Sequence, residues 1–238
     1  MERLGLEADM KEVLKLNQTK YGHCKSCENT GIITNATGTF NSGRIYAVLG
    51  PSMADKSILL SLIAGLVQPE SGEIMFAGCN IAAEGAKLLH EGKIGLLLQE
   101  YKLLPYLTAI DNIMLQLEVR GMPPAARKKA AFDLLDRVAF DKSRYGVKAS
   151  GLSCCEQQKV MLSRAICSKP QLLLIETEEC YETPELESVL MTLIDDAAHK
   201  EGSCVIITTD SKGIADRAEE VWGLKSGILL PVKSGDSN

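Results

Sequence analysis

Residues 50–57 read Gly50-Pro51-Ser52-Met53-Ala54-Asp55-Lys56-Ser57, and this octapeptide dictates how the chain around it folds. The apolar run at residues 45–49 predicts a strand, and the helical spacing of apolar residues from Ile58 onward predicts a helix. A strand, a tight loop and a helix that opens on Lys-Ser are typical of a P-loop, in which backbone N–H groups and the lysine face a phosphate. The P-loop pattern is G-x-x-x-x-G-K-[ST], and Asp55 stands where its second glycine belongs.

The composition is that of a globular protein without a membrane span. Of 238 residues, 45% are hydrophobic and 24% are charged, which suits one large domain with a real core. The net charge of -5 disfavours a nucleic-acid partner. No apolar stretch approaches the roughly 20 residues that a membrane-spanning helix needs, and the N-terminal sequence lacks the plan of a signal peptide. These features predict a cytoplasmic protein that reaches a membrane only through a partner.

Eight cysteines predict reduced thiols in that compartment. Cys24 and Cys27 form a C-x-x-C pair with His23 beside it, but no second ligand pair lies at the spacing of a structural zinc site. Loop thiols are therefore favoured over a metal or redox site at this pair.

Strands alternate with helices along the chain, which predicts an α/β fold. Residues 10–21 are predicted to form an edge strand, and residues 32–40 belong with it to a small antiparallel layer that leads into the P-loop strand. The remaining pattern predicts strands at 73–76, 93–99, 171–175 and 203–208, helices at 107–120, 124–140, 153–168, 184–200 and 214–220, and a closing hairpin at 223–232.

Four further motifs stand in order behind the P-loop. They are LQEYKLLP at 98–105, LSCCEQQKV at 152–160, LLLIET at 172–177 and IITTD at 206–210. Together with the phrases GRIYAVLGPS, LLSLIAGL, PESGEI, LLPYLTA and EQQKVMLSRAI, they make the chain resemble the ATP-binding subunits of ABC transporters. The group that serves lipoprotein, macrolide and antimicrobial-peptide transport is the most similar.

This resemblance covers nearly the whole chain and implies a P-loop NTPase (RecA-like) core with an antiparallel β subdomain and a helical subdomain. It implies a single nucleotide-binding domain over residues 1–238. The β layer and core would occupy about 10–99 and 166–235, and the helical subdomain about 100–165.

The resemblance also implies a site for ATP and Mg²⁺. The nucleotide-binding positions carried over are Tyr21, Gly50, Pro51, Ser52, Met53, Ala54, Asp55, Lys56, Ser57, Ile58, Gln99 and Ser153. In the family an aromatic ring at the position of Tyr21 stacks on adenine, and an exposed tyrosine at a strand end is the alternative. If nucleotide binds, Mg²⁺ would be held by Ser57, Gln99 and Glu176.

The signature motif of the family, LSGGQ or LSGGE, is altered here. Ser153 is kept, but Cys154 and Cys155 replace the two glycines whose bare backbone lies near the phosphate of the opposite subunit. Ser153 and Glu156 have the spacing of a capping box, so this turn can start a helix without nucleotide. A residual phosphate contact is the alternative.

The catalytic positions of the family have changed as well. Glu176 replaces the aspartate that helps to hold Mg²⁺, Thr177 replaces the glutamate that polarises water, and Thr209 replaces the switch histidine. A threonine cannot act as a base near neutral pH, and losing a general base typically costs about 10²–10⁴-fold in rate.

Asp55 is predicted to oppose nucleotide binding. A carboxylate roughly 5 Å from a phosphate charge repels it by about 3 kcal/mol at an effective dielectric constant of about 20. If the position required a positive φ, strain would add about 1–3 kcal/mol. An alternative is that Lys56 pairs with Asp55 and fills the site.

The changed site and the unchanged packing segments together predict a catalytically degenerate subunit. It would dock on an integral-membrane permease beside an active ATPase subunit, as a hetero- or homodimer, at the inner face of the cell membrane. An active ATPase and a soluble scaffold or regulator are the alternatives. The predicted docking surface includes Tyr101, Leu103, Leu104, Pro105 and Tyr106, with internal packing of these residues as the alternative.

Overall fold

The computed structural model describes residues 11–22, 31–99, 102–177 and 183–232, and these form a mixed α/β fold. The strands are β1 Glu12–Tyr21, β2 Ile33–Asn41, β3 Ile45–Leu49, β4 Ser71–Phe76, β5 Cys79–Asn80, β6 Ile94–Leu97, β7 Leu172–Glu176, β8 Cys204–Thr209, β9 Glu220–Lys225 and β10 Ile228–Pro231. The helices are α1 Met53–Ile63, α2 Ile81–His90, α3 Ala109–Val119, α4 Pro124–Arg137, α5 Cys154–Ile166, α6 Pro184–Asp195 and α7 Lys212–Ala215. A π-helical turn, Asp196–Lys200, continues α6.

The strands form one sheet in the order β5-β4-β1-β2-β10-β9-β3-β8-β7-β6. The five strands β9, β3, β8, β7 and β6 are parallel, and β5, β4, β1 and β2 are antiparallel. The two halves are continuous, because β10 pairs with β9 on one side and with β2 on the other. The predicted antiparallel layer is therefore an extension of the core sheet.

The prediction that residues 10–21 form an edge strand is wrong. β1 pairs with β2 along one edge and with β4 along the other, so it lies inside the sheet. The residue pairs with β4 run from Leu14 opposite Phe76 to Lys20 opposite Ser71. Such long-range pairing leaves no local signal in the sequence of β1.

The core lies on both faces of the parallel half of the sheet. Every residue of β7 and β8 is buried, as the apolar run at 171–175 predicts for a parallel strand covered on both sides. Successive residues point to opposite faces. Leu173 and Ile175 pack in the cluster formed with α3 to α6, and Leu172 and Leu174 pack in the cluster formed with α1 and α2.

α2 has no counterpart among the predicted elements. Its N-terminus is capped by Asn80, whose side chain accepts a hydrogen bond from the N–H of Ala82. Gly85 interrupts its helical pattern, and a Cβ at this position would lie 2.8 Å from Cα of Gly65. Because glycine has no side chain, the helix can approach that turn closely. The missing side chain also gives glycine a low helix propensity, which weakens the helical signal in the sequence.

The last predicted helix, at residues 214–220, is shorter than expected. α7 ends at Ala215, and residues from Glu220 onward belong to β9. Among the described residues, no helix combines the length and the apolar character needed to cross a bilayer.

Candidate functional site

The predicted phosphate-binding loop lies at the carboxyl end of β3, beside the carboxyl ends of β7 and β8. These strands are parallel and adjacent in the sheet. β6 lies beside β7 and brings the start of the motif at 98–105 to the same place, so four of the five motifs meet at one edge. Gly50 follows β3, and a Cβ on this residue would lie 2.3 Å from the carbonyl oxygen of Leu224. No other residue fits there without moving the backbone of β9.

α1 begins inside the predicted loop, five residues before Ile58. Ser52 is its N-cap, and its Oγ accepts a hydrogen bond from the N–H of Asp55 at 3.1 Å. The carbonyl of Ser52 accepts a second one from the N–H of Lys56 at 3.2 Å. In an open P-loop, N–H groups of this kind face a phosphate. Here both belong to an ordinary helix start.

Asp55 has a structural role at this turn. It lies in α1 and is absent from the residues with a positive φ, so the backbone strain considered above does not arise. Its Oδ1 accepts a hydrogen bond from the N–H of Ile32 at 2.8 Å. Gly31 makes the approach possible, because a Cβ there would lie 2.1 Å from the carbonyl oxygen of Ala54. The carboxylate thus fastens the first turn of α1 to the segment that leads into β2.

Lys56 is paired with Asp210 rather than with Asp55. The lysine side chain is 1% exposed, and its Nζ lies 2.5 Å from Oδ1 of Asp210. The side chain of Asp210, directly after β8, is 67% exposed. The alternative in which Lys56 pairs with Asp55 is therefore wrong. Asp210 belongs to the IITTD motif. Its pairing with Lys56 could not be predicted from the sequence, because the two residues are 154 positions apart.

The three residues predicted to hold Mg²⁺ are close together. Glu176 is buried, accepts a hydrogen bond from the hydroxyl of Ser57 and accepts another, at 3.0 Å, from the backbone N–H of Gln99. The hydroxyl and the carboxylate are oxygen donors of the kind that Mg²⁺ prefers. Gln99 reaches the carboxylate through its backbone N–H, which cannot ligate a cation; its side-chain amide oxygen is the atom that could. Within the described part of the chain, no group of three or more His, Cys, Asp or Glu residues could hold a metal ion.

Thr177 and Thr209 have their hydroxyl groups engaged with the backbone. Thr177 Oγ1 donates to the carbonyl of Thr208 at 3.0 Å, and the N–H of Thr177 donates to the same oxygen at 3.1 Å. Thr209 Oγ1 accepts from the N–H of Ser211 at 3.0 Å. Both side chains are buried. They stabilise the strand ends and the turn before α7, and neither supplies a proton acceptor for water.

The signature turn is closed by a capping box, as its sequence predicts. Ser153 Oγ accepts from the N–H of Glu156 at 3.3 Å, and Glu156 Oε2 accepts from the N–H of Ser153 at 2.7 Å. Arg144 pairs with the same carboxylate and donates to the carbonyl of Gly151 at 3.0 Å. Burial raises the pKa of Glu156, but the hydrogen bonds from Arg144 and Ser153 outweigh it and lower the pKa.

The cysteines of this turn differ from one another. Cys155 is a free thiol, as are Cys79, Cys167 and Cys204. Cys154 is disulfide-bonded, so the prediction of reduced thiols is wrong at that position. His23, Cys24 and Cys27 lie outside the described residues.

Two further predicted nucleotide-binding residues, Tyr21 and Ser153, lie outside the phosphate-binding loop. Tyr21 is the last residue of β1 and pairs with Ile33, the neighbour of Ile32. Its side chain is half-buried and packs against the apolar cluster formed with α1 and α2. The hydrogen bonds of Ser153 are all made with the first turn of α5, which it caps.

The segment predicted to dock on a partner divides into a buried and an exposed part. Leu103 is buried in the core, and the backbone of Leu104 exchanges two hydrogen bonds with the side chain of Asn112. Pro105 is exposed, and Tyr106 is 66% exposed. Tyr101 lies outside the described residues. Leu103 therefore packs internally, as the alternative interpretation expects. Tyr106 lies at the surface, as a docking surface requires.

Comparison with known proteins gives consistent matches. A family model described as "ABC transporter" matches residues 33–176. An uncharacterized ABC transporter ATP-binding protein of Bacillus subtilis, YclH, is 30% identical over 177 residues, which are 74% of this chain and 78% of that protein.

Two relatives have names that state a direction of transport. The pyoverdine export ATP-binding/permease protein PvdT of Pseudomonas syringae is 30% identical over 203 residues, 84% of this chain and 31% of that protein. The methionine import ATP-binding protein MetN of Mesorhizobium japonicum is 32% identical over 194 residues, 79% of this chain and 53% of that protein.

Among solved structures, the dimeric bacterial ABC transporter cassette MJ0796 superimposes with a TM-score of 0.83. The match covers 93% of this chain and 99% of that chain at 24% sequence identity. At this identity the likeness establishes the α/β P-loop NTPase fold.

Proposed function

This chain belongs to the ABC transporter family, and from that membership we propose that it is a catalytically degenerate nucleotide-binding subunit. It docks on an integral-membrane permease beside a second, active ATPase subunit, and it does not itself turn over ATP. Its partners hold it at the inner, cytoplasmic face of the cell membrane.

The proposal that this chain does not hydrolyse ATP rests mainly on Thr177. This residue ends β7 at the position where the family resemblance puts a water-polarising glutamate. The residue is 9% exposed, and its hydroxyl proton is donated to the carbonyl of Thr208 at 3.0 Å. A hydroxyl in this state takes no proton from an attacking water, and a missing general base lowers a rate by about 10²–10⁴-fold.

The other parts of the machinery support the same proposal. The N–H groups of Asp55 and Lys56 are bound to Ser52, and the hydroxyl of Thr209 is bound to the N–H of Ser211. The effects on rate of residues that act as one catalytic unit are strongly non-additive. When several of them are altered, restoring one residue should recover little ATP hydrolysis.

Weak nucleotide binding is compatible with this role. Ser57 and Glu176 would hold Mg²⁺, which when bound neutralises the charge of phosphate oxygens. Glu176 is one methylene longer than the aspartate of the family, and Mg²⁺ demands near-ideal octahedral geometry. We therefore expect little specific ATP binding at low micromolar concentration.

A membrane partner is supported by the relatives and by exposed apolar side chains. One named relative is an ATP-binding/permease protein for export and another is an ATP-binding protein for import. On this chain Tyr106 is 66% exposed, and Leu115 and Val119, one turn apart on α3, are 41% and 46% exposed. Contiguous apolar patches on a surface mark protein or membrane contacts, and we expect these side chains to belong to such a contact.

The test is the ATPase activity of the assembled complex. A tagged form of the chain, purified from detergent-solubilised membranes of its own host, should bring with it an integral-membrane permease and a second ATP-binding chain. Thr177→Val, which replaces the hydroxyl by a methyl group, should leave the ATPase rate of that complex within about twofold, and Thr177→Glu should not raise it.

Two results would refute the proposal. A tenfold or larger fall in rate with Thr177→Val would show that the hydroxyl contributes to turnover. Phosphate release by the purified chain alone, at rates typical of an active enzyme, would show a working ATPase.

A further inference from the structure

A cavity of about 260 Å³ is lined by residues of β6, α3 and α5 and by the segment that follows β6. Three of its lining side chains are basic, namely Lys102, Arg120 and Arg164, and none of its described lining residues is acidic. We propose that this basic cavity receives an aspartate or glutamate side chain of the integral-membrane permease. The inference rests on the proposed function, because it assumes docking on a permease, and it adds the chemistry by which that partner is recognised.

Arg120 is held in the cavity by neutral groups. Its Nη1 donates to the carbonyls of Leu89 and His90, the latter at 2.6 Å. The amide oxygen of Gln116, in the orientation that satisfies both side chains, accepts from Nε at 3.1 Å and from Nη2 at 2.8 Å. Among the described residues Arg120 makes no ion pair. Its charge is therefore fixed in place without being neutralised, and a carboxylate would supply the missing counter-charge.

The backbone leaves room for this arginine. A Cβ on Gly92 would lie 3.0 Å from both Cδ and Cζ of Arg120 and 2.8 Å from Cβ of Ser168. Gly92 also has a φ of +74°, which favours glycine. The guanidinium is thereby packed in one place before any partner binds, which reduces the entropy lost when a carboxylate pairs with it.

The surroundings of the arginines add no negative charge. Burial lowers the pKa of Arg120 and of Arg164, which reflects the cost of taking their charge out of water. The thiol of Cys167 lies near both, and burial raises the pKa of that thiol to about 11, so it is uncharged at neutral pH. Arg164 Nη1 donates to the carbonyl of Lys102 at 3.2 Å, which ties the segment of this lysine to α5.

The cavity adjoins the exposed apolar side chains that we assign to the contact with the permease. Leu115 and Val119 are exposed near the end of α3, and each directly precedes a residue that lines the cavity. Lys102 is exposed and lies four positions before Tyr106. A partner that covers these apolar side chains therefore also covers the cavity. Complementary charge then favours an acidic side chain of that partner at this place, since a lysine or arginine would be repelled.

The first measurement is a cross-link within the complex purified from the membranes of its own host. A carbodiimide joins a lysine amine directly to a carboxylate as an amide, so it reports only pairs that are in contact. We expect mass spectrometry to find Nζ of Lys102 joined to an aspartate or glutamate of the permease. Lys102→Arg keeps the charge but has no amine for this reaction, so the complex should persist and the cross-link should be absent.

The second measurement is the affinity of the purified chain for the permease complex from a host strain that lacks the chain. Lys102→Glu is compared with Lys15→Glu, which makes the same charge change at an exposed lysine of β1, in the antiparallel half of the sheet. Lys102→Glu should raise the dissociation constant about tenfold or more, and Lys15→Glu and Lys102→Arg should leave it within about twofold. Changing the cross-linked acid of the permease to lysine should restore the affinity of Lys102→Glu.

Three results would overturn this inference alone. They are a cross-link from Lys102 to a carboxylate of this chain in place of one to the permease, no cross-link at Lys102 in a complex that contains the permease, and equal affinities of Lys102→Glu and Lys15→Glu. Should Lys102→Glu fail to fold, the cross-link and Lys102→Arg decide the matter. The absence of any permease from the purified complex would overturn the proposed function together with this inference.

Discussion

The first turns of α1 and α5 are built from the same four-residue pattern and yet are held in different ways. Ser52 and Asp55 open α1, and Ser153 and Glu156 open α5, each as a serine N-cap with an acidic residue three positions later. In α5 the acidic side chain folds back onto the N–H of Ser153. In α1 it reaches across the chain to the N–H of Ile32.

In both helix starts the serine caps the first turn and satisfies one of its backbone N–H groups. The turn of α5 is closed locally, with Arg144 as an additional partner of Glu156. The turn of α1 is tied to β2, so its geometry depends on a segment more than 20 positions away. A helix start that satisfies its own N–H groups requires no ligand.

The largest effect that separates the two turns is expected from glycine substitution. Gly31→Ala would place a Cβ 2.1 Å from the carbonyl oxygen of Ala54, so the first turn of α1 has to move. We expect a loss of about 1–3 kcal/mol in the free energy of unfolding, as for an overpacked core. Gly151→Ala, beside the turn of α5, would meet only Val147 at 3.4 Å and should change stability little.

Urea unfolding of both alanine variants provides the measurement. Equal stability losses at Gly31 and Gly151 would mean that the contact between α1 and the segment before β2 is not rigid, and the contrast between the two turns would then be lost.

A smaller effect is expected from removing each acidic charge. Glu156→Gln weakens the bonds to Arg144 and to Ser153 and should cost about 1 kcal/mol. Asp55→Asn keeps an oxygen that can accept from the N–H of Ile32 and loses only a charge at a helix N-terminus, so it should cost about 0.5 kcal/mol or less. The free energies of unfolding of the two variants test this order, and a larger loss at Asp55 would contradict it.

Sequence reasoning succeeded where the signal is local. The apolar run of β7 predicted a strand buried on both faces, and the spacing of Ser153 and Glu156 predicted the capping box. Both depend on residues within a few positions of one another. The same spacing at Ser52 and Asp55 was present in the sequence, but the P-loop pattern led to its interpretation as a loop.

What sequence reasoning missed depends on distant contacts. The pairing of Lys56 with Asp210 joins residues 154 positions apart, and the central place of β1 comes from its pairing with β4. Neither leaves a periodic pattern or a turn signal. The conformation of Asp55 belongs to the same class, because its partner Ile32 lies on another element.

The smallest expected effect is a dependence of stability on pH at the turn of α5. Hydrogen bonds from Arg144 and Ser153 outweigh burial and hold the pKa of Glu156 below its ordinary value of 4.5. A carboxylate with a lower pKa in the folded state stabilises the fold fully above the unfolded pKa, and this contribution is lost as the pH falls through the folded pKa.

The quantity to measure is the difference in free energy of unfolding between the unmodified chain and Glu156→Gln, from about pH 7 down to about pH 3. Because the other carboxylates titrate in both proteins, their contributions largely cancel in the difference. The difference should be constant well above pH 4.5 and shrink below it, since protonated Glu156 and glutamine are both neutral. A difference that stays constant to the lowest pH would show that the charge of Glu156 does not hold the turn. In that case the uncharged hydrogen bonds of the capping box would alone account for the start of α5.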